Sequence, residues 1–130
     1  MITDKQYFMG RDILYKDALT PEIIQNVHIL LPKVNALLAD LGITDVQVSS
    51  GWRPPELNAV TPGASKKSLH MIGKAVDIYD PQHVLYDRIF ADYNLLLDNG
   101  LWMEDKDSTP TWCHLDCGLR TARPVRIFKP

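Results

Sequence analysis

Two histidines and an aspartate are the candidate metal ligands of this sequence. His70 and Asp77 lie seven residues apart, and Asp77 falls inside an apolar run that is typical of a buried strand. A buried carboxylate without a partner is costly, and a metal ion shared with His70 would compensate its charge. His114 interrupts another short strand-like segment and is the candidate third ligand. Imidazole and carboxylate groups are ordinary zinc ligands, and three of them leave a position open for water.

The spacing of these residues also has structural explanations. A histidine beside a strand is more often a hydrogen-bonded core or surface residue than a metal ligand. Asp77 could cap a turn or pair with a nearby lysine or arginine. Short motifs of this kind produce real false positives. At the level of spacing alone, the metal site is therefore one of several interpretations.

A longer motif around these residues resembles a known family. Residues 68–77 follow the pattern Ser-x-His-x-x-Gly-x-Ala-x-Asp, and a Trp-x-His segment occupies residues 112–114. Together they resemble the zinc D-alanyl-D-alanine peptidases, which include peptidoglycan carboxypeptidases and phage cell-wall endopeptidases and share a fold with the Hedgehog signalling domain. Residues 50–58 resemble the Ser-Gly-(aromatic)-Arg-Ser/Pro-x-x-x-Asn segment of that family. The resemblance covers residues 20–118, which is most of the chain.

The resemblance implies a zinc ion bound by His70, Asp77 and His114, and a contact between Arg53 and the substrate. Zinc held by two imidazoles and one carboxylate polarises a carbonyl and activates water, which suits hydrolysis of a peptide bond. A guanidinium binds carboxylates through a bidentate fork, so Arg53 would suit a substrate carboxylate or a developing oxyanion. A surface salt bridge is the alternative interpretation of Arg53.

The general base is the point at which the sequence departs from the family pattern. Many members carry a carboxylate three residues before the last histidine, where this chain has Thr111. We favour Asp116, because it lies two residues after His114 and strand alternation directs both side chains to one face. Asp116 could instead orient a histidine ligand. Glu104 and Asp107, in the preceding hairpin, are the other candidates.

The longest elements predicted around these residues are two amphipathic helices. Thr20 and Pro21 form a typical N-cap and first helical position, and the apolar stripe that follows indicates a core-facing helix ending at Gly42. A second helix is expected to begin with the similar pair Asp80-Pro81 and to end at Gly100.

Four segments with strand character lie between or after these helices, at residues 46–50, 74–79, 101–104 and 111–116. The last two are expected to form a hairpin across a polar turn. We therefore predict an α+β fold in which helices pack on a small, mainly antiparallel sheet. The zinc ion would lie on the open face of that sheet, as in the Hedgehog and D-Ala-D-Ala peptidase fold.

The two ends of the chain give weaker signals. Residues 1–19 are expected to form an irregular arm that packs on the domain, with a structural turn at residues 9–12 as the favoured interpretation over a functional segment. Residues 119–130 form a basic tail that could pair as an edge strand. The two cysteines, Cys113 and Cys117, are too few for a disulfide framework, so we expect reduced, packed thiols.

Composition indicates one ordinary globular domain, residues 1–130, expected to be a monomer. The net charge of −2 argues against nucleic acid as the main partner. No apolar run approaches the length that would span a membrane. The first residues lack the basic start and apolar core of a signal peptide, so we expect synthesis in the cytoplasm and, for a lysis enzyme, action on the cell wall.

These observations favour zinc-dependent hydrolysis of peptide bonds in peptidoglycan stem peptides. The enzyme would act either as a D-Ala carboxypeptidase or as an endopeptidase, and the small size resembles phage lysis enzymes (endolysins). A non-catalytic, zinc-bearing module that binds cell-wall or protein partners is the alternative, favoured by the missing carboxylate at residue 111. A phage structural component that grips the cell wall is a third hypothesis.

Overall fold

A single five-stranded sheet lies at the centre of the computed structural model, which describes all 130 residues. Its strands are β1 (Val48–Ser50), β2 (Ala75–Tyr79), β3 (Trp102–Glu104), β4 (Trp112–Asp116) and β5 (Ile127–Phe128). They are arranged in the order β1-β2-β4-β3-β5, and only β3 and β5 run parallel. The predicted mainly antiparallel sheet is confirmed, as are the hairpin of β3 with β4 and the edge strand in the tail.

Six α-helices and three 3₁₀ turns complete the α+β fold. The helices are α1 (Asp4–Phe8), α2 (Arg11–Leu14), α3 (Pro21–Asp40), α4 (Pro55–Ala59), α5 (Val84–Ala91) and α6 (Asn94–Asp98). The 3₁₀ turns are Lys16–Ala18, Leu69–Ile72 and Lys106–Ser108. No helix combines the length and the apolar character that crossing a membrane requires.

Helix α3 supplies one side of the core and confirms the first helix prediction. The Thr20 hydroxyl accepts a hydrogen bond of 3.2 Å from the Ile23 backbone N–H, and Pro21 occupies the first turn. Its buried face consists of Val27, Leu30, Leu31, Val34, Leu37 and Leu38. These side chains belong to the same core cluster as Val76 of β2 and Leu115 of β4. The apolar stripe of α3 is therefore packing against the sheet.

The second predicted helix differs from the structure. It is divided into α5 and α6, because Asp92 leaves the helical conformation between them. Asp80 does cap α5, since its carboxylate accepts the backbone N–H groups of Leu85 and Tyr86 at 3.1 and 2.9 Å. The helix begins only at Val84, however, because His83 before it adopts a left-handed conformation with φ 56°.

Strand β4 alternates between the core and the opposite face of the sheet. Cys113 and Leu115 lie in the core cluster, whereas His114 and Asp116 lie on the other face of the sheet, where His114 lines a cavity. Both cysteines, Cys113 and Cys117, are free thiols, as the sequence predicts. The alternation places the two polar residues of β4 together, away from the apolar core.

The N-terminal arm is helical, and the prediction that it is irregular was wrong. Thr3 and Gln6 form a capping box at the start of α1, with reciprocal side chain to backbone hydrogen bonds. Tyr7 and Phe8 are buried in the core cluster. The Tyr7 hydroxyl donates to the Ala75 carbonyl at 2.9 Å, so the arm is attached directly to β2.

Gly51, which follows β1, lies directly against the backbone of the arm. A β-carbon built on Gly51 would lie 1.9 Å from the Tyr7 carbonyl oxygen and 2.9 Å from Cδ2 of the Tyr7 ring. Such distances are far inside van der Waals contact, and the 1.9 Å clash is with backbone that cannot rotate away. Glycine is therefore required where β1 leaves the sheet.

We predict that Gly51→Ala destabilises the protein by about 2 kcal/mol or more, because the added methyl group must displace the Tyr7 backbone. Urea denaturation followed by circular dichroism would show a lower midpoint. The control is Gln47→Ala, which removes an exposed side chain near the same strand and should change stability by less than about 0.5 kcal/mol. Equal midpoints for Gly51→Ala and the unmodified protein would contradict the close contact.

Candidate metal centre

His70, Asp77 and His114 converge on the face of the sheet opposite the core. Their ligand atoms all lie within 4.8 Å of one another. Nε2 of His70 is 3.2 Å from Oδ2 of Asp77, and Nδ1 of His114 is 2.8 Å from Oδ1 of Asp77. All three side chains are buried. The structure thus brings together the three residues that the sequence names as metal ligands.

Strand register and one tight turn determine this arrangement. Asp77 on β2 and His114 on β4 are directly opposite each other in the antiparallel ladder, so their side chains are neighbours on one face. His70 lies on the 3₁₀ turn Leu69–Ile72 before β2, and Gly73 ends that turn with φ 75°. A β-carbon on Gly73 would lie 2.9 Å from the Ile23 carbonyl oxygen of α3, so the turn is pressed against the helix.

Each imidazole is fixed by a partner on its other ring nitrogen. Nδ1 of His70 contacts the Gly51 carbonyl oxygen at 2.8 Å. Because a carbonyl only accepts, Nδ1 carries a proton and donates it to this contact, which leaves Nε2 to face the cluster. Nε2 of His114 contacts Oδ2 of Asp116 at 2.8 Å, which leaves Nδ1 for the cluster. Partners of this kind orient histidine ligands in metal sites.

The cluster requires positive charge beside the Asp77 carboxylate. Burial alone would raise the pKa of Asp77, but the two histidines outweigh it and keep the pKa below its ordinary value. Burial alone would lower the pKa of His114, yet its contacts with Asp116 and Asp77 raise it to about 10. A buried site with two carboxylates around one imidazole therefore favours a cation, whether a proton or a metal ion.

Asp116 is fully enclosed and all its acceptor positions have partners. Arg120 donates Nη1 to Oδ1 at 2.5 Å and Nη2 to Oδ2 at 2.9 Å. The Gly118 backbone N–H also donates to Oδ1 at 3.1 Å. Burial would raise the pKa of Asp116, but the hydrogen bonds from His114 and Arg120 outweigh it, and the pKa is lowered. These contacts favour the charged carboxylate of Asp116, which holds His114 in position.

Glu104, at the end of β3, is the second carboxylate beside His114. Its Oε2 atom is 3.9 Å from Nδ1 of His114, and this is the only ion pair that it makes. Burial is the main cause that raises the pKa of Glu104; His114 opposes the shift, while Asp77 and Asp116 add to it. Glu104 is therefore a carboxylate near the cluster that can accept a proton.

The other predicted site residues occupy different positions. Arg53 lies on the wall of a cavity of about 780 Å³ that also contains the cluster. Its Nε donates to Oδ1 of Asn58 at 2.9 Å and its Nη2 to Oγ of Ser68 at 3.3 Å, and it forms no salt bridge. Asp107 is exposed on the turn Lys106–Ser108 and does not line this cavity.

Sequence reasoning missed two arginines that contact the site. Arg120 follows Asp116 by four residues, but that spacing indicates an ion pair only within a helix, and this part of the tail is not helical. Arg11 lies in the segment at residues 9–12, for which the sequence favours a structural turn. It donates to the Trp52 carbonyl at 2.9 Å and lines the same cavity.

We predict that Arg120→Met lowers the free energy of unfolding of the metal-free protein by about 3 kcal/mol near neutral pH, because Asp116 would keep a buried charge without its main partner. Urea denaturation measures the loss. Arg123→Met, in the exposed part of the same tail, is the matched control and should cost less than about 1 kcal/mol.

The ion pair of Asp116 with Arg120 also predicts that the free energy of unfolding depends on pH. Because the pKa of Asp116 is lowered in the folded state, its stabilisation is present above the unfolded pKa of about 4 and is lost as the pH falls through the folded value. The difference in the free energy of unfolding between Arg120→Met and the unmodified protein should therefore become smaller as the pH falls. A difference that grows as the pH falls would contradict the assignment.

The comparison with known families agrees with this geometry. Residues 12–88 match the family model Peptidase M15, and this stretch includes Arg53, His70 and Asp77. The comparisons with curated proteins and with solved structures find no significant match. The match confirms the resemblance to the zinc D-Ala-D-Ala peptidases that the sequence motifs indicate. Because the matched residues make up more than half of its 130 residues, the chain belongs to the peptidase M15 family of zinc-dependent metallopeptidases.

Proposed function

We propose that this protein is a zinc peptidase that hydrolyses peptide bonds in the stem peptides of peptidoglycan. The observation that carries the proposal is the buried cluster of His70, Asp77 and His114 on the wall of a large cavity. The same cavity is lined by Glu104, whose pKa is raised by burial, and by Arg53, which forms no salt bridge. Metal ligands, a proton acceptor and a cation are the groups that peptide hydrolysis needs.

The donor set fits a zinc ion. Two imidazole nitrogens and one carboxylate are a common ligand combination for catalytic zinc, which keeps a further position open. Gly51 and Asp116 fix the ring orientations of the two histidines, as metal sites require. When bound, the zinc ion would supply a Lewis acid that polarises the scissile carbonyl and activates water.

We assign the general base to Glu104, in preference to Asp116. Asp116 is 0% exposed and has partners on both oxygens, so it neither reaches the substrate nor accepts a proton readily. Glu104 lies on the cavity wall with a raised pKa, which suits a group that takes a proton from water and passes it to the leaving amine. Asp116 then acts as a positioning residue that holds His114.

Arg53 is proposed to bind a carboxylate of the substrate. Asn58 and Ser68 hold one edge of its guanidinium, so the remaining N–H groups are oriented before the substrate arrives. Asn58 also donates to the Ser65 carbonyl at 2.9 Å, which joins Arg53 to the loop above the cavity. Pre-orientation of this kind lowers the entropic cost of binding.

The substrate, the site of action and the assembly are proposals of the same kind. Trimming of a terminal D-alanine and cleavage of a cross-link are both compatible with a cavity of about 780 Å³ beside the cluster. We propose that the protein acts on the cell wall as a monomer, in the manner of a phage lysis enzyme. The alternative is a non-catalytic wall-binding module, for which the absence of a carboxylate at residue 111 is the supporting observation.

The first test is hydrolysis of purified peptidoglycan. We expect the zinc-loaded protein to release soluble peptides or D-alanine, detected by mass spectrometry, and to contain one zinc ion per chain. His70→Ala and His114→Ala should each lose bound zinc and activity together. Full zinc retention in both variants would reject the metal site. Bound zinc without any hydrolysis by the unmodified protein would favour the binding module.

The second test separates the roles of the two carboxylates. Glu104→Gln should keep its zinc affinity and lose activity by about a hundredfold or more, because a carboxamide cannot take the proton from water. Asp116→Asn should instead weaken zinc binding by about tenfold to a hundredfold, and excess zinc should restore its activity. The reverse pattern, with Asp116→Asn inactive at full zinc occupancy, would return the general base to Asp116.

A further inference from the structure

The N-terminal arm directs one arginine into the cavity through an unusual turn. Met9 and Gly10, between α1 and α2, both have left-handed conformations, with φ values of 55° and 79°. A left-handed conformation is uncommon for a residue other than glycine and is found where the surrounding structure enforces it. The reversal places Arg11 beside the end of β1, where its side chain lines the cavity of the metal cluster.

Arg11 is anchored on one edge of its guanidinium and unpaired on the other. Its Nη1 atom donates to Oγ of Ser50 at 3.2 Å and to the carbonyl of Trp52 at 2.9 Å, on either side of Gly51. Nε and Nη2 have no acceptor within the protein. Arg53 is also anchored on one side only: its Nε and Nη2 atoms donate to Asn58 and Ser68, and Nη1 has no partner.

The charges of these two arginines have no counterpart in the protein. Neither Arg11 nor Arg53 forms a salt bridge, whereas Arg120, the third arginine of the cavity, is paired with Asp116. Burial is the main cause that lowers the pKa of Arg11, and the positive charge of Arg53 lowers it further. The Asp77 carboxylate acts on both arginines, but two histidines already compensate it. Two like charges in a half-buried wall favour an anionic ligand.

We propose that Arg11 and Arg53 together form a carboxylate-binding pair, and that Arg11 is a specificity-determining residue that selects acidic peptides. The inference rests on the proposed peptidase function and specifies its substrate class, namely peptides with a free carboxylate close to the scissile bond. Two anchored guanidinium groups with free edges can bind carboxylate oxygens in bidentate fashion. An amidated peptide would leave these donors unpaired and bind less tightly.

The test uses a stem pentapeptide as the probe and amidates one carboxylate at a time. The peptide L-Ala-γ-D-Glu-L-Lys-D-Ala-D-Ala carries a free carboxylate on D-Glu and one at its C-terminus. Calorimetry measures the Kd of the parent and of the two singly amidated forms for the full chain without metal, so no turnover interferes. We expect one amidation to raise the Kd by about tenfold or more, the scale of a lost charge-assisted hydrogen bond.

We call the rise in Kd on amidation the amidation penalty, and variants test whether Arg11 causes it. In Arg11→Gln the amidation penalty should fall to less than about threefold, while Arg11→Lys, which keeps the charge without the fork, should retain an intermediate penalty. The control is Arg88→Gln, which removes an exposed positive charge on α5, outside the cavity, and should retain the full penalty. Thermal unfolding of each variant confirms that the arm remains folded.

The outcomes separate this inference from the proposed reaction. Equal Kd values for the three peptides in the unmodified protein, or no binding of the pentapeptide, would overturn the carboxylate-binding pair. An Arg11→Gln variant that weakens all three peptides equally would also overturn it, because Arg11 would then be structural. Amidation-sensitive binding without hydrolysis of peptidoglycan would reject the peptidase and keep the pair. Hydrolysis of peptidoglycan without amidation-sensitive binding would keep the peptidase and reject the pair.

Discussion

The carboxylate of Asp77 is a buried negative charge, and the surrounding structure is arranged to compensate it. An unpaired carboxylate in the interior is strongly unfavourable, so Asp77 needs positive partners on both oxygens. His114 reaches one oxygen across the β2–β4 ladder, and His70 reaches the other from the turn before β2. The strand register and the glycine that ends this turn are therefore part of the site as well as of the fold. A divalent cation at this position satisfies the same requirement as the protonated imidazole.

The two histidines connect Asp77 to the two ends of the chain. His70 is held by the Gly51 carbonyl, and Gly51 is pressed against Tyr7 of the N-terminal arm. His114 is held by Asp116, whose partner Arg120 lies 3.8 Å from the centre of the Phe128 ring in the C-terminal strand. The arm and the tail thus support the orientation of both imidazoles of the cluster. A change at either end of the chain can reach the cluster through only two or three contacts.

Features that depend on local sequence signals were predictable, whereas features that depend on contacts between distant parts of the chain were not. Helix α3 was predictable because its cap and apolar stripe are local signals. The convergence of His70, Asp77 and His114 was predictable because the motif fixes their residue types and spacing. The helical arm was missed, although Thr3 and Gln6 carry the capping box, because α1 is short and is stabilised by burial of Tyr7. The environment of Asp116 was not predictable, because strand alternation gives the direction of a side chain and not the arginine that encloses it.

The two carboxylates beside His114 show how position assigns different chemistry to similar groups. Asp116 lies behind the imidazole, is saturated by Arg120 and Gly118, and has a lowered pKa. Glu104 lies one residue beyond the Met103–Leu115 pair of the hairpin, on the cavity side, and has a raised pKa. Environments that push two carboxyl pKa values apart mark one group as a fixed charge and the other as a proton carrier. Under the proposed assignment, β3 of the hairpin would supply the carboxylate that the chain lacks at residue 111, and Glu104 would take its place from a different position in the sequence.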